Sequence, residues 1–113
     1  DLVVDMDPFW QKMRAVQPYL EPRLDRATEK ENVVPQERMD VIHKESLGIN
    51  GGCGVAEGNA MEADPDFLGP AELAKGMRFV GDARDHATVE RLQEYSGEHG
   101  IWDCTRCYFC QDC

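Results

Sequence analysis

Three features of the sequence predict a mostly α fold. Proline and glycine punctuation cuts the chain into four segments whose apolar residues recur at helical spacing. Strand signals are confined to residues 2–4, Leu2-Val3-Val4. The third feature is a staple: of five cysteines, Cys104, Cys107, Cys110 and Cys113 crowd the end of the chain. At 113 residues and 12.8 kDa there is material for one small core and not for two. A domain of that size often needs a covalent or metal cross-link, and clustered cysteines can supply one.

The first helix is expected to begin at Asp7-Pro8, an N-cap followed by a proline at the first helical position. Phe9, Met13 and Val16 form its apolar stripe until Pro18 interferes. Residues 21–34, charged and proline-marked as far as Glu31, read as a solvated connection. Pro35 opens a second helix, with Gln36 and Glu37 suited to its first turn and Met39, Ile42 and Leu47 as its inner face. Asp64-Pro65-Asp66 is a turn, after which Gly69-Pro70 starts a third helix striped by Leu73, Met77 and Val80, with Phe79 beside them. Gly81-Asp82 ends it. A fourth helix is expected over about 86–95, with Val89 and Leu92 inward and residues 90–94 otherwise on the wet side, stopped by Gly97 and Gly100.

Charge removes whole classes of function. The chain carries 12 Lys and Arg against 22 Asp and Glu, a formal net charge of −10. Binding to nucleic acid or to anionic lipid needs a basic footprint, so neither is expected. The apolar runs are too short for a transmembrane segment or a signal-peptide core. With 42% apolar and 30% charged residues the balance is that of a folded protein.

The cysteine spacing C-x-x-C-x-x-C-x-x-C closes almost no loop, so it points to metal or cluster ligation in a reducing compartment rather than to a disulfide framework. Upstream, Gly48, Gly51, Gly54 and Gly58 stand at the spacing of the bacterial iron–sulfur run, with glycine at each ligand position. In two-cluster proteins the last ligand of each run crosses to the other cluster. On that pattern Cys104, Cys107 and Cys110 want a partner at position 58, which is Gly58, and Cys113 belongs, one residue early, with Gly48, Gly51 and Gly54. Glycine has no side-chain donor and Cys53 lies between ligand positions, so the first site is not expected to hold a cluster. The second keeps three thiolates and needs Cys113 or Cys53 for a fourth. A four-cysteine zinc site is the competing reading, although structural zinc usually takes two C-x-x-C pairs separated by a longer loop.

Other candidates are weaker. Residues 52–58 spell a G-x-G-x-x-x-G string, but no strand precedes it and no βαβ pattern surrounds it. His43, His86 and His99 are scattered on polar faces and read as surface residues. There is no nucleophile-elbow serine and no H-E-x-x-H, so no catalytic residue is expected.

With these motifs in place, the chain resembles the C-terminal, α-helical ferredoxin half of the iron–sulfur subunit of succinate dehydrogenase or fumarate reductase. The resemblance is carried by residues 1–10, by Gln17-Pro18-Tyr19-Leu20, by Pro35-Gln36-Glu37-Arg38 and, most specifically, by residues 64–71 with Arg78-Phe79 and Asp82-Ala83-Arg84-Asp85. It implies one α-helical ferredoxin-like domain over 1–113, lacking the family's N-terminal [2Fe–2S] domain and final helix. It further implies a non-catalytic relay that passes single electrons from a flavoprotein subunit to membrane quinone beside a membrane-anchor subunit. Its place would be cytoplasmic, peripheral on the inner face of the bacterial plasma membrane. Cys104, Cys107, Cys110 and Cys113 would hold at most one [4Fe–4S] cluster, with [3Fe–4S] or zinc as alternatives, and the extra Cys107 points to the [4Fe–4S] branch. The departures are the four glycines, a last motif one residue short and without its proline, and Ala63 where many members place a tryptophan. The rivals are a cluster-free or zinc-binding engineered helical scaffold and a stand-alone small ferredoxin.

Overall fold

The computed structural model describes residues 3–22 and 31–112. Every regular element among them is helical: α1 (Asp7–Ala15), α2 (Gln36–Asp40), α3 (His43–Ser46), α4 (Cys53–Ala56), α5 (Asn59–Ala63), α6 (Pro70–Val80), α7 (Thr88–Tyr95), a 3₁₀ turn (Ile101–Asp103) and α8 (Phe109–Asp112). The chain is mostly α. No strand forms at Val3-Val4, and Leu2 lies outside the described residues.

Helix α6 is the axis on which α1, α3, α4 and α7 pack, while α8 lies against α4. It starts as the sequence predicts, with Pro70 in its first turn and Gly69 as N-cap in a left-handed conformation (φ +104°) that a side chain would strain. The core joins Phe9 and Met13 of α1, Val16 just beyond it and Tyr95 of α7, with Leu73 and Val80 of α6 packed against them. Gly76 in mid-α6 costs helix propensity of about 1 kcal/mol, yet a Cβ there would stand 2.7 Å from the Tyr95 ring. That close approach fixes how α6 and α7 meet.

Several expected positions are corrected. The N-cap of α1 is Met6, one residue earlier than expected and without a side-chain cap bond; Asp7 is already helical, and the Asp5 carboxylate accepts its N–H at 3.0 Å. The anticipated second helix is broken at Val41–Ile42 into α2 and α3. The break keeps Ile42 buried, its methyl against Gly81, but turns Leu47 outward to 64% exposure. On α6 Leu73 and Val80 pack against the core as expected, but Met77 is 45% exposed and the buried positions are Glu72, Gly76 and Phe79.

The largest reversal is on α7. Val89 and Leu92 face solvent (62% and 47% exposed), and the buried face is Arg91 with Tyr95. Buried polar groups are tolerable when every donor is partnered, and here the partners are plentiful. Arg91 grips both Asp85 oxygens at 3.1 and 3.2 Å and donates to the carbonyls of Val16, Gln17 and Tyr19. The Tyr95 hydroxyl donates to the Val16 carbonyl at 2.7 Å. Asp85 also accepts the N–H groups of Glu21 and Ala87. One guanidinium thereby ties the exit of α1 to the start of α7. Of the connecting segment 21–34, residues 21, 22 and 31–34 carry no regular structure, and the remainder lies outside the described residues.

Candidate functional site

The two rhythmic stretches meet at the N-terminal end of α6. The glycine run forms the loop before α4, all of α4, and the link to α5. The cysteine run curls from the end of the 3₁₀ turn into α8. Two cavities lie where they meet, and Pro70 and Cys110 line both.

The smaller cavity, about 60 Å³, is lined by Cys104, Cys107 and Cys110 together with Gly58. Ala60, Phe67 and Leu73 close it with apolar surface. Three thiols within seven residues reach one space because the backbone coils sharply around the middle one. Arg106 and Tyr108, on either side of Cys107, both take left-handed conformations (φ +56° and +66°). Such positions cost non-glycine residues on the order of 1–3 kcal/mol and collect at functional sites. Cys107 is half-buried, with Cys104 and Cys110 exposed, and all three are free thiols. The Phe109 N–H, helped by the Thr105 side chain and the Asn59 N–H, holds the Cys107 thiol below its ordinary range. Hydrogen bonds to sulfur favour the thiolate, which is the ligating form.

The larger cavity, about 440 Å³, is walled by Gly48, Gly51 and Gly54 with Cys53, Ala71 and Lys75. None of Gly48, Gly51, Gly54 or Gly58 has a positive φ, whereas Gly52 between them does (φ +80°). The four rhythmic glycines therefore do not use the conformational freedom that usually selects glycine, and the intervening one does. A Cβ at Gly54 would sit 3.5 Å from that of Cys110, and one at Gly51 would meet nothing closer than 4.0 Å. Gly58 is tighter, at 2.9 Å from the Gly54 carbonyl.

The donor sets differ accordingly. At the small cavity the three cysteines offer the thiolate ligands that iron–sulfur groups take, but their sulfurs do not lie within 4.8 Å of one another as a set that would hold a single metal ion. At the large cavity the three rhythmic positions offer no donor, and the sulfurs among the described lining residues are those of Cys53 and Cys110. A four-thiolate cluster does not fit there. Cys113, the fourth sequence-predicted ligand, lies outside the described residues.

His99, expected as a surface histidine, is instead partly buried and paired beside the cysteine run. His99 Nδ1 lies 2.7 Å from Asp64 Oδ2 and 3.8 Å from Asp103 Oδ2. The hydrogen bond to Asp64 raises the imidazole pKa, and the same bond lowers that of Asp64. With the His99 carbonyl accepting the Leu68 N–H at 2.9 Å, this pair pins the segment before Cys104 to the turn between α5 and α6. The nearest sequence signal was Asp64-Pro65-Asp66, whose carboxylate was legible as a turn former but not as a distant partner.

Comparison with known proteins bears out the family resemblance. The fumarate reductase iron–sulfur subunit of Escherichia coli O157:H7 is 32% identical over 112 residues, covering 99% of this chain and 46% of that protein. That of Mycobacterium tuberculosis is 34% identical over 109 residues, covering 93% and 43%. This chain is homologous to the C-terminal part of fumarate reductase and succinate dehydrogenase iron–sulfur subunits. A mitochondrial succinate dehydrogenase iron–sulfur subunit of Oryza sativa matches at 31% over 116 residues, covering all of this chain and 36% of the relative. The chain thus spans less than half the length of these family members, and its likeness is to their C-terminal part. No protein-family model matches it.

Proposed function

We propose that this chain is an electron-transfer module of a succinate:quinone oxidoreductase, with one metal–sulfur centre held by Cys104, Cys107 and Cys110. The observation that carries this reading is that three free cysteines line one small apolar cavity, in a chain homologous to iron–sulfur subunits. When bound, an iron–sulfur cluster supplies a one-electron acceptor and donor. The chain's own part is to present thiolates, exclude water and set the surrounding field. Cys107, with its lowered pKa, is the thiol readiest to ligate near neutral pH. Ala60, Phe67 and Leu73 give the site an apolar wall, and backbone N–H groups directed at the Cys107 sulfur would moderate its charge.

In the same reading Cys113 supplies the fourth ligand of a [4Fe–4S] cluster, and the module works between a flavoprotein subunit and a membrane anchor with its quinone, at the inner face of the plasma membrane. A net charge of −10 suits docking on basic partner surfaces. The described residues contain no helix long and apolar enough to cross a membrane. The glycine-lined cavity has no part in this relay.

Anaerobic reconstitution with iron and sulfide tests the proposal. The expected product is brown, with a broad visible absorption that bleaches on reduction and iron at roughly one cluster per chain. A colourless protein that retains zinc stoichiometrically would replace this reading with the zinc-scaffold one.

A further inference from the structure

Outside the thiol cavity, a second set of ligand-type side chains converges. Among the described residues, the donor atoms of Asp64, His99 and Asp103 all lie within 4.8 Å of one another. They come from two distant parts of the chain. Asp64 caps the end of α5, His99 lies in the loop after α7, and Asp103 closes the 3₁₀ turn. Backbone bonds hold each position. The Asp64 N–H donates to the Ala60 carbonyl at 2.9 Å, the Asp103 N–H donates to the Gly100 carbonyl at 3.1 Å, and the His99 carbonyl accepts from Leu68.

The spacing suits ligands around one ion. First-row divalent ions hold nitrogen and oxygen ligands at about 2.0–2.2 Å, which places neighbouring ligands about 3.0–3.5 Å apart. Nδ1 of His99 lies 2.7 Å from Asp64 Oδ2 and 3.8 Å from Asp103 Oδ2, on either side of that range. The groups around these atoms orient them. Asp64 Oδ1 accepts the Asp66 N–H at 3.0 Å, which leaves Oδ2 for the imidazole. The second ring nitrogen of His99, Nε2, stands 3.9 Å from Glu98 Oε1. Histidines that ligate metals direct their second ring nitrogen at a carboxylate, a carbonyl or water, and ligating carboxylates are themselves hydrogen-bonded. The side chains of all three residues are partly exposed, so an ion can reach them.

We infer that Asp64, His99 and Asp103 bind one divalent transition-metal ion, His99 through Nδ1 and each aspartate through one carboxylate oxygen. Water completes the coordination. The ion takes the place of the proton between Nδ1 and Asp64 Oδ2, which leaves to solvent. An imidazole among carboxylates favours such an ion over Mg²⁺, which prefers oxygen and gives up its water reluctantly. The bound ion ties the segment before Cys104 to the turn between α5 and α6. No cysteine takes part, so the site does not rest on the thiol centre.

The test titrates the metal-free chain with Mn²⁺, a hard ion that leaves soft thiolates alone. Electron paramagnetic resonance reads the loss of the free-ion signal, and pulsed measurements read the coupling to a bound imidazole nitrogen. Mn²⁺ is expected to bind at least about tenfold more tightly than Mg²⁺ does by competition, and to show the nitrogen coupling. His99→Gln should erase that coupling and bring Mn²⁺ down to the Mg²⁺ affinity. Asp103→Asn, at an exposed position, should weaken Mn²⁺ about tenfold even if His99→Gln fails to fold. Equal affinity for the two ions would overturn the inference and mark a diffuse acidic surface. So would a bound ion without nitrogen coupling, or unchanged Mn²⁺ affinity in either folded variant.

Discussion

The glycine run and the cysteine run share a three-residue rhythm and meet at the N-terminal end of α6, but they achieve opposite things. The glycine half has ordinary backbone at its four rhythmic positions and no side chains to offer. The cysteine half has three thiols and holds them with backbone that ordinary residues avoid, at Arg106 and Tyr108. A ligand site needs both a frame and donors. One half has kept the frame without the donors, and the other strains its frame to aim them.

Exchanging the donors should give the largest effect. Replacing Cys104, Cys107 and Cys110 together by serine is expected to abolish bound iron after reconstitution, measured by metal analysis. Placing cysteine at Gly48, Gly51, Gly54 and Gly58 should instead add roughly one cluster's worth. The tight Cβ position at Gly58 makes that substitution the one most costly to the metal-free fold. If iron does not rise in the quadruple variant, the two runs are not matched halves.

Removing the support beneath both halves comes next. Arg91→Met leaves Asp85 buried without its cation and should cost about 3–5 kcal/mol in denaturant unfolding. Arg91→Met with Asp85→Leu should recover only part of that loss: no charge is left unpaired, but the carbonyls of Val16, Gln17 and Tyr19 and the N–H groups of Glu21 and Ala87 lose hydrogen bonds. Neither variant touches a thiol, so per folded chain the iron content should hold.

A smaller effect separates neighbouring glycines. Gly52→Ala meets a positive φ and should lose about 1–2 kcal/mol, whereas Gly51→Ala should be neutral or gain about 0.4–1 kcal/mol by restricting the unfolded chain. Equal costs would mean that the rhythmic glycines are conformationally required after all.

The smallest effect distinguishes the halves by pH. The Asp64–His99 pair braces only the cysteine side. The folded pKa of His99 is raised, so its contribution is complete below the ordinary value near 6.5 and is lost as pH rises through the raised one. Asp64 is lowered, so its contribution is present above the ordinary carboxylate value and is lost as pH falls through the depressed one. Amide protection around Cys104, corrected for the intrinsic rise of exchange with pH, should therefore fall at mildly alkaline pH while that of residues 48–58 stays unchanged, and His99→Gln should remove the difference. An imidazole that titrates by NMR at or below 6.5 would contradict the brace.

Much of this was legible in one dimension. The helical class, the start of α6 at Gly69-Pro70, the burial of Phe9, Met13, Val16 and Ile42, and the family all follow from local signals. Capping residues, proline stops and ligand spacing act over a few residues, so the sequence carries them directly. What it could not reveal is which face a helix turns inward when the partner is distant. Val89 and Leu92 looked like the core of α7, and Arg91 and Tyr95 took their place. Arg91 can be buried only because carbonyls some 72 to 75 positions away, together with Asp85, meet each of its donors. The same holds for Glu72, whose orphaned oxygens are a property of the space around them and of no pattern in the chain. Burial of a charged group is decided by its full set of neighbours, and only the tertiary structure assembles that set.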